Sequence, residues 1–559
     1  MKKFLCLVVF LFSIFYLLPS SSYAIVDPLS VPNNKFGIHI IQATPDESSP
    51  AASLVNANGD WGYITVLIEG KDKDQGKWQE FFNDLRRRHL IPIVRLATQP
   101  VGNIWKKPDI GEAQVWADFL DTLVWPIKNR YVVVYNEPNQ GTEWGGTVDA
   151  KNYAEVLDQT IIALKSKNRD FFVLNAGFDA SAPSQLPQYE DQAIFMGQME
   201  EEVPGIFNKL DGWVSHSYPN PNFVGSPSAL GRGTVRTWLW ELQLLRQFGV
   251  TKNLPVFITE TGWQHAEGIS YDYSLPTSDV LSKYFEHAFN GAWNSSRIVA
   301  VTPFLLSYQD TLFDHFSFKK YQSNDFYPHF QTVKELPKVS GKPIQDKIAE
   351  LTKGEIYSSI VSGEKYDISL TFKNPGQSIW DSSTSLTTVV GGKELGIETV
   401  RIPDDVKVEP GGEYTFNLTL KAPDAGSFKV VLNLFEGSTQ FDSKPFEFTA
   451  EVKSPVILQV LSKLKWRDSP AGEYVLRVSG VVGDSSQKVI LDGSGKSEEI
   501  EVRYLLPDYS FNFSLERPFY KPKTITQKLS AGVNTLNFRT LNPDIFSILF
   551  HPIKFFKQR

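Results

Sequence analysis

Residues 131–138 read Tyr-Val-Val-Val-Tyr-Asn-Glu-Pro: a short, wholly apolar β-rich run that ends in a carboxylate and is closed by proline. A second stretch, Leu254-Pro-Val-Phe-Ile-Thr-Glu-Thr-Gly-Trp263, repeats the design, with Glu260 directly after the apolar run. Such runs lack the apolar–polar alternation of a half-exposed antiparallel strand and have the texture of strands buried on both faces. Six more runs of this kind flank these two: Phe36–Ile41, Gly62–Ile68, Leu90–Ala97, Phe171–Ala176, Gly212–His216 and Ile298–Leu306.

Between the runs the apolar spacing becomes helical. Trp116, Leu120, Leu123 and Ile127 fall on one face, as do Val235, Trp238, Leu239, Leu242 and Leu245. Eight strand–helix units in about 300 residues predict an α/β fold, a (β/α)8 TIM barrel. The open, doubly wound alternative fits less well, because no Gly-x-Gly-x-x-Gly follows the first run. After Pro337 the helical spacing gives way to alternating strands and turn signals such as Asn374-Pro375-Gly376, Pro410-Gly411-Gly412 and Asp424-Ala425-Gly426. The predicted organisation is a signal segment 1–24, a barrel 25–338, a β-sandwich 339–454 and a second all-β module 455–559.

Composition narrows the function. The chain has 559 residues, 42% hydrophobic and 21% charged, with a net charge of −7, so no positive field invites a phosphate backbone. Eleven of the 13 Trp lie before residue 300, concentrating the aromatic surface in the barrel. Lys2 and Lys3, the apolar run Phe4–Leu18 and Ser22-Tyr23-Ala24 have the pattern of an export signal, with a secreted, cell-surface or periplasmic protein as the expectation. An uncleaved anchor is the alternative reading. The sole cysteine, Cys6, lies in this segment, so the exported chain is expected to carry no disulfide and no thiol-ligated metal.

In a barrel of this type the chemistry sits at the C-terminal ends of the strands. There the fourth run presents Glu137 and the seventh Glu260, on roughly opposite sides of one ring. A carboxylate placed after a buried strand is costly to desolvate, and a facing pair is what glycoside hydrolysis requires. The plainer reading makes both glutamates hydrogen-bonding residues of the barrel rim.

Asn-Glu-Pro closing strand four, with Thr-Glu-Thr-Gly-Trp closing strand seven, resembles the large clan A of (β/α)8 retaining glycoside hydrolases, which includes the cellulase-like families and family 39. The resemblance covers about residues 36–338. It implies Glu137 as acid/base, Glu260 as nucleophile and Asn136 on the sugar 2-hydroxyl, with no cofactor and no metal. It also draws in His216 and Tyr218 after strand six, Tyr218 as a donor to Glu260. Arg95, ending strand three, is a candidate positive charge near the nucleophile, although the clan usually places such an arginine on strand two. His39 is a candidate hydroxyl ligand, a satisfied core histidine being the commoner alternative. Trp144 and Trp263 are candidate sugar platforms. Strand eight carries Phe304 and Tyr308 where many clan members have Trp.

The predicted function is therefore an exported glycosidase that cleaves a poly- or oligosaccharide. The rivals are a non-catalytic glycan-binding protein on a degenerate barrel and a transglycosylase using the same glutamates. The tail resembles the Ig-like sandwiches appended to exported proteins and is a candidate for cell-surface association. Two matches are set aside: Gly493–Ser497 lacks the leading glycine of a phosphate loop, and Asp72–Gly76 has the wrong residues for a calcium loop. No His-Glu-x-x-His zinc helix occurs.

Overall fold

The computed structural model describes residues 25–354, 356–357, 359–479 and 484–557; the expected export segment lies outside them. The chain divides into two compact units, 1–346 and 347–559.

All eight predicted strands of the first unit are present: β1 (Gly37–Ile40), β2 (Gly62–Glu69), β3 (Leu90–Ala97), β4 (Arg130–Val133), β5 (Phe171–Leu174), β6 (Trp213–His216), β7 (Val256–Glu260) and β8 (Ile298–Val301). They pair in parallel in the orders β1-β2-β3-β4-β5 and β6-β7-β8. Parallel bridges from Leu174 to Gly212 and from Phe36 to Val301 join the two arcs, so the ring closes and leaves no edge. Full closure is the reason every strand reads as continuously apolar: one side faces the barrel interior, the other faces the helices.

Helix starts follow the sequence chemistry. Asp74, Asp149 and Asp191 each accept a backbone N–H in the first turn of the helices Gln75–Arg87, Ala150–Lys167 and Gln192–Glu202. Asp74 is thus a cap, and the calcium-like pattern around it reflects a helix start. Most of the expected helical faces point inward, with Trp116, Leu120, Trp238 and Leu245 buried. Leu239 is an exception at 43% exposure, because the helix Thr237–Gln247 turns it to solvent.

Inside the barrel, alternate residues of each strand point inward and their character changes from floor to mouth. At the floor Tyr63, Ile91, Tyr131, Phe172, Val214 and Phe257 form a separate apolar cluster. At mid-height the hydroxyls of Thr65 and Thr302 meet at 2.8 Å. Further along β1 and β3 from the floor level stand His39 and Arg95, which line the cleft at the mouth.

The second unit contains two β modules with separate cores. In the first, one sheet pairs Glu350–Gly354, Lys365–Lys373 and Glu413–Lys421; the other is built on Gly426–Glu436, flanked by Thr384–Val390 and Phe446–Lys453. Trp380, Leu370, Phe416 and Leu432 fill the space between them. In the second, Val456–Leu464 and Gly532–Leu541 lie in one sheet, and Gly472–Ser479 and Ser510–Glu516 in the other, around Leu476, Phe513, Leu536 and Phe538. These strands alternate buried and exposed residues, as sandwich strands with one solvated face do. Gly493–Ser497 forms a tight turn here. The Asp492 carboxylate accepts the N–H groups of Ser494 and Lys496, and Gly495 takes a left-handed φ of 86°.

Candidate active site

A cleft of about 630 Å³ opens at the C-terminal ends of the barrel strands, within the size range of small-molecule sites. Both glutamates line it, together with His39, Arg95, Asn136, His216 and Tyr218.

The turn after β4 delivers Glu137. Tyr135 and Glu137 both adopt left-handed backbone, with φ of 69° and 30°, a conformation that non-glycine residues avoid at a cost of about 1–3 kcal/mol each. The Glu137 N–H donates to the Gly177 carbonyl at 3.0 Å, and the Gln140 N–H to the Glu137 carbonyl at 2.8 Å, which holds the turn. Its carboxylate is gripped at both oxygens. Oε1 pairs with His216 Nδ1 at 2.8 Å, and Oε2 accepts from Gln140 Nε2 at 2.8 Å. Gln140 also donates to Asp179 at 3.2 Å, tying a second acid to the same network.

Glu260 ends β7 and is 7% exposed. Arg95 Nη1 donates to its Oε1, and Tyr218 Oη donates to its Oε2 at 3.0 Å. His39 Nε2 stands 3.7 Å away. Arg95 Nη1 also donates to Asn136 Oδ1 at 2.8 Å, so Arg95 spans the two strand ends that carry the acids. The positive charge at Glu260 thus comes from the end of β3.

One oxygen of Glu137, one of Glu260 and a ring nitrogen of His216 all lie within 4.8 Å of one another. His216 Nδ1 is 2.8 Å from the first acid and 3.8 Å from the second. Its position depends on Gly177, where a β-carbon would meet the imidazole at 2.0 Å. Among the described residues this trio is the one group with metal-ligand spacing. Arg95, however, already supplies positive charge at Glu260.

The two carboxyls are pushed in opposite directions. Burial raises Glu137, and the charges of Asp179 and Glu260 add to it, against the pull of His216. Burial would raise Glu260 as well, but His216, Arg95, His39 and the Tyr218 hydroxyl outweigh it and carry the pKa down to about 2. Burial drives His39 down to about 3, helped by Arg95, so its ring is neutral. Neither of its nitrogens makes a hydrogen bond among the described residues. Burial opposes protonation of His216 too, yet the two glutamates prevail and raise it.

The predicted aromatic platforms divide. Trp144 is fully buried, wedged between Tyr135 and Tyr153 with its indole N–H on Asn152. Trp263 is 1% exposed and packs on Phe285 and Trp293. Both are core residues, and neither has a free face for a sugar. Tyr308 sits outside the cleft against Phe313, which lines it. The Trp, Tyr and Phe side chains that line it are instead Trp105, Tyr135, Tyr218, Phe223, Phe304, Phe313 and Phe316. Trp105 lies on a small hairpin (Pro100–Val101 and Ile104–Trp105) just after β3. Its signal was a Trp in a strand–helix loop on the chemical side of the barrel.

Three acids of the lining also went unrecognised: Glu69 at the end of β2, Glu143, and Asp179 after β5. Glu69 and Asp179 follow strands as the catalytic candidates do. Glu143 is raised to about 7, by burial first and by the charge of Glu137 next.

No family model and no curated protein matches the sequence. Solved structures do resemble the fold. A monomeric β-xylosidase from Caulobacter crescentus CB15 aligns at 12% identity over 85% of this chain and 95% of its own, with a TM-score of 0.38. A family 39 glycoside hydrolase from Bacteroides cellulosilyticus WH2 aligns at 12% identity over 71% and 82%, with a TM-score of 0.39. An endo-β-1,4-glucanase from Xanthomonas axonopodis pv. citri aligns at 9% identity over 54% and 97%, with a TM-score of 0.34.

Proposed function

We propose that the protein is an exported retaining glycosidase that hydrolyses O-glycosidic bonds of a poly- or oligosaccharide, with Glu260 as nucleophile and Glu137 as acid/base. The observation that carries this reading is the facing pair itself: two carboxyls with oxygens less than 4.8 Å apart in one cleft, one pKa raised and the other lowered to about 2. An approach of two oxygens to within 4.8 Å suits the close pair of double displacement, whose carboxyls stand about 5–5.5 Å apart, better than the about 6.5–9.5 Å of an inverting pair.

In the first step the ionised Glu260 attacks the anomeric carbon while the Glu137 proton passes to the departing glycosidic oxygen. Arg95 and Tyr218 keep the nucleophile ionised and oriented until its electron pair forms the ester. Esterification then removes the negative charge that helped to hold Glu137 up. Its pKa falls, which suits the second step: Glu137 accepts a proton from water, the water oxygen attacks the anomeric carbon, and Glu260 is released as a carboxylate. His39, neutral and without a hydrogen bond among the described residues, is suited to accept or donate to a sugar hydroxyl. Asn136, its oxygen held by Arg95 and its amide hydrogen-bonded to Glu143, lines the cleft beside the two acids. Trp105 and Phe304 offer the apolar faces on which sugar C–H groups pack. The N-terminal signal pattern supports export.

The test is Glu260→Ala assayed on aryl glycosides with and without azide. Loss of turnover restored by azide, with a glycosyl azide of inverted configuration as product, is expected. Undiminished activity in this variant overturns the assignment.

A further inference from the structure

The strongest unexplained surface lies far along the chain from the barrel, in the second β module. Two short helices, Ile545–Phe550 and Pro552–Lys557, follow its last strand. Globular proteins cover large apolar side chains, and an exposed cluster of them marks a contact surface. Here Ile545, Phe546, Leu549, Phe550, Ile553 and Phe556 are 55–79% exposed. In the first helix the exposed residues recur at i, i+1, i+4 and i+5, one continuous face, while Ile548 turns back to the core. In the second helix Phe555 alone points inward, against Phe519 and Tyr520, with Arg467 over its ring at 4.8 Å. The inward residues fix the helices to the module and leave the rest outward.

We propose that this face docks the protein on an anionic lipid surface. Its charge selects that partner. Residues 545–557 contain Lys554 and Lys557 and no acid, in a chain whose net charge is −7, and both lysines are exposed. Trp466, 63% exposed, and Lys465 stand where the neighbouring strand ends, the Lys465 N–H donating to the Leu541 carbonyl at 3.1 Å. Bulky apolar groups interleaved with lysines, beside a tryptophan with an amphipathic ring, are the composition of a helix that lies in the headgroup region. A face that bulges with phenylalanine rings enters loosely packed acyl chains, whereas a protein partner would have to supply a matching hollow. A second copy meeting this face about a two-fold axis would bring Lys554 and Lys557 of both copies together. Among the described residues no helix is long and apolar enough to span a membrane, so the contact is interfacial.

The test is flotation of the full chain with vesicles of phosphatidylglycerol and phosphatidylcholine in equal parts, and with phosphatidylcholine alone. Binding to the mixed vesicles, weaker on the neutral ones and falling with salt, is expected. Phe546→Ser with Phe550→Ser should weaken binding on both by about ten-fold or more, since each ring loses its burial. Lys554→Gln with Lys557→Gln should weaken binding to the mixed vesicles by about five-fold per lysine and leave the neutral ones unchanged. Both pairs are solvent-facing, and an unchanged thermal melt establishes that the variants are folded. Absence of wild-type flotation overturns the proposal. So does flotation indifferent to the phenylalanine pair, or a dimer in light scattering that this pair dissolves while vesicles go unbound.

Discussion

At the floor of the barrel the inward side chains are aromatic. Tyr131 packs on Phe172 and Phe257 with centroids 5.1 Å apart in each case, and the void beside Tyr63 and Tyr131 amounts to about 20 Å³, scarcely one water. At the mouth the same strands present His39, Arg95, Glu137 and Glu260 around a cleft of about 630 Å³. The floor is close-packed and mostly apolar, whereas the mouth combines left-handed backbone at Tyr135 and Glu137, ring nitrogens of His39 without a hydrogen bond among the described residues, and two carboxyls held close together. The floor supplies the apolar burial from which the mouth's strain and desolvation can be offset.

Substitutions at the two ends should therefore separate activity from stability. The largest effect belongs to Glu260→Ala, where kcat on any cleaved glycoside should fall about 10⁴-fold or more. Glu137→Gln should lower kcat about 10²–10⁴-fold on substrates with poor leaving groups and much less on dinitrophenyl glycosides, which need no proton. The wild type should lose activity on the alkaline side as Glu137 deprotonates, and this limb should vanish in the glutamine variant. A deficit independent of the leaving group would remove Glu137 from the acid role.

Gly177→Ala reaches the site through His216. The new methyl group displaces the imidazole, and a shift of about 1 Å at the acid is worth up to about 10²-fold in kcat. Because His216 touches Glu137, the pH profile should move as well, which a purely structural lesion would leave in place. Tyr63→Phe is the smallest change and the counter-test. It removes the 2.6 Å bond to Asn33 at the floor, lowering stability by about 1 kcal/mol in thermal melts with kcat unchanged.

Acid stability sharpens the same contrast. Folding lowers the Glu260 pKa from its ordinary 4.5 to about 2, so between these values the folded state binds fewer protons than the unfolded chain. The stabilisation from this group is complete above about pH 4.5 and is lost as pH falls toward 2. Melting temperatures of the wild type should decline across that window more steeply than those of Glu260→Gln.

The sequence revealed the barrel because its signal is repeated: eight apolar runs, each buried by its neighbours, leave one arrangement that closes. The pair of glutamates was legible for a related reason, since a carboxylate immediately after an apolar strand has no business in a core. The loops were less legible. Trp144 and Trp263 follow the strands that carry Glu137 and Glu260, where a platform residue is expected, yet both rings turn inward, a choice set by the packing of Tyr135, Tyr153, Phe285 and Trp293. Trp105 faces the cleft only because a two-residue-per-strand hairpin lifts it there. Arg95 was visible as a strand-end charge, but its reach across to Glu260 is a property of the closed ring, which no local pattern encodes.

The most direct measurement is mass spectrometry of the protein after reaction with a panel of activated 2-deoxy-2-fluoro glycosides, in which a slow second step traps the covalent intermediate. A mass increase of one glycosyl unit, mapped by peptide sequencing to Glu260, is expected, and none in Glu260→Ala. A label on another residue, or turnover that inverts the anomeric configuration with no labelled protein, would contradict it.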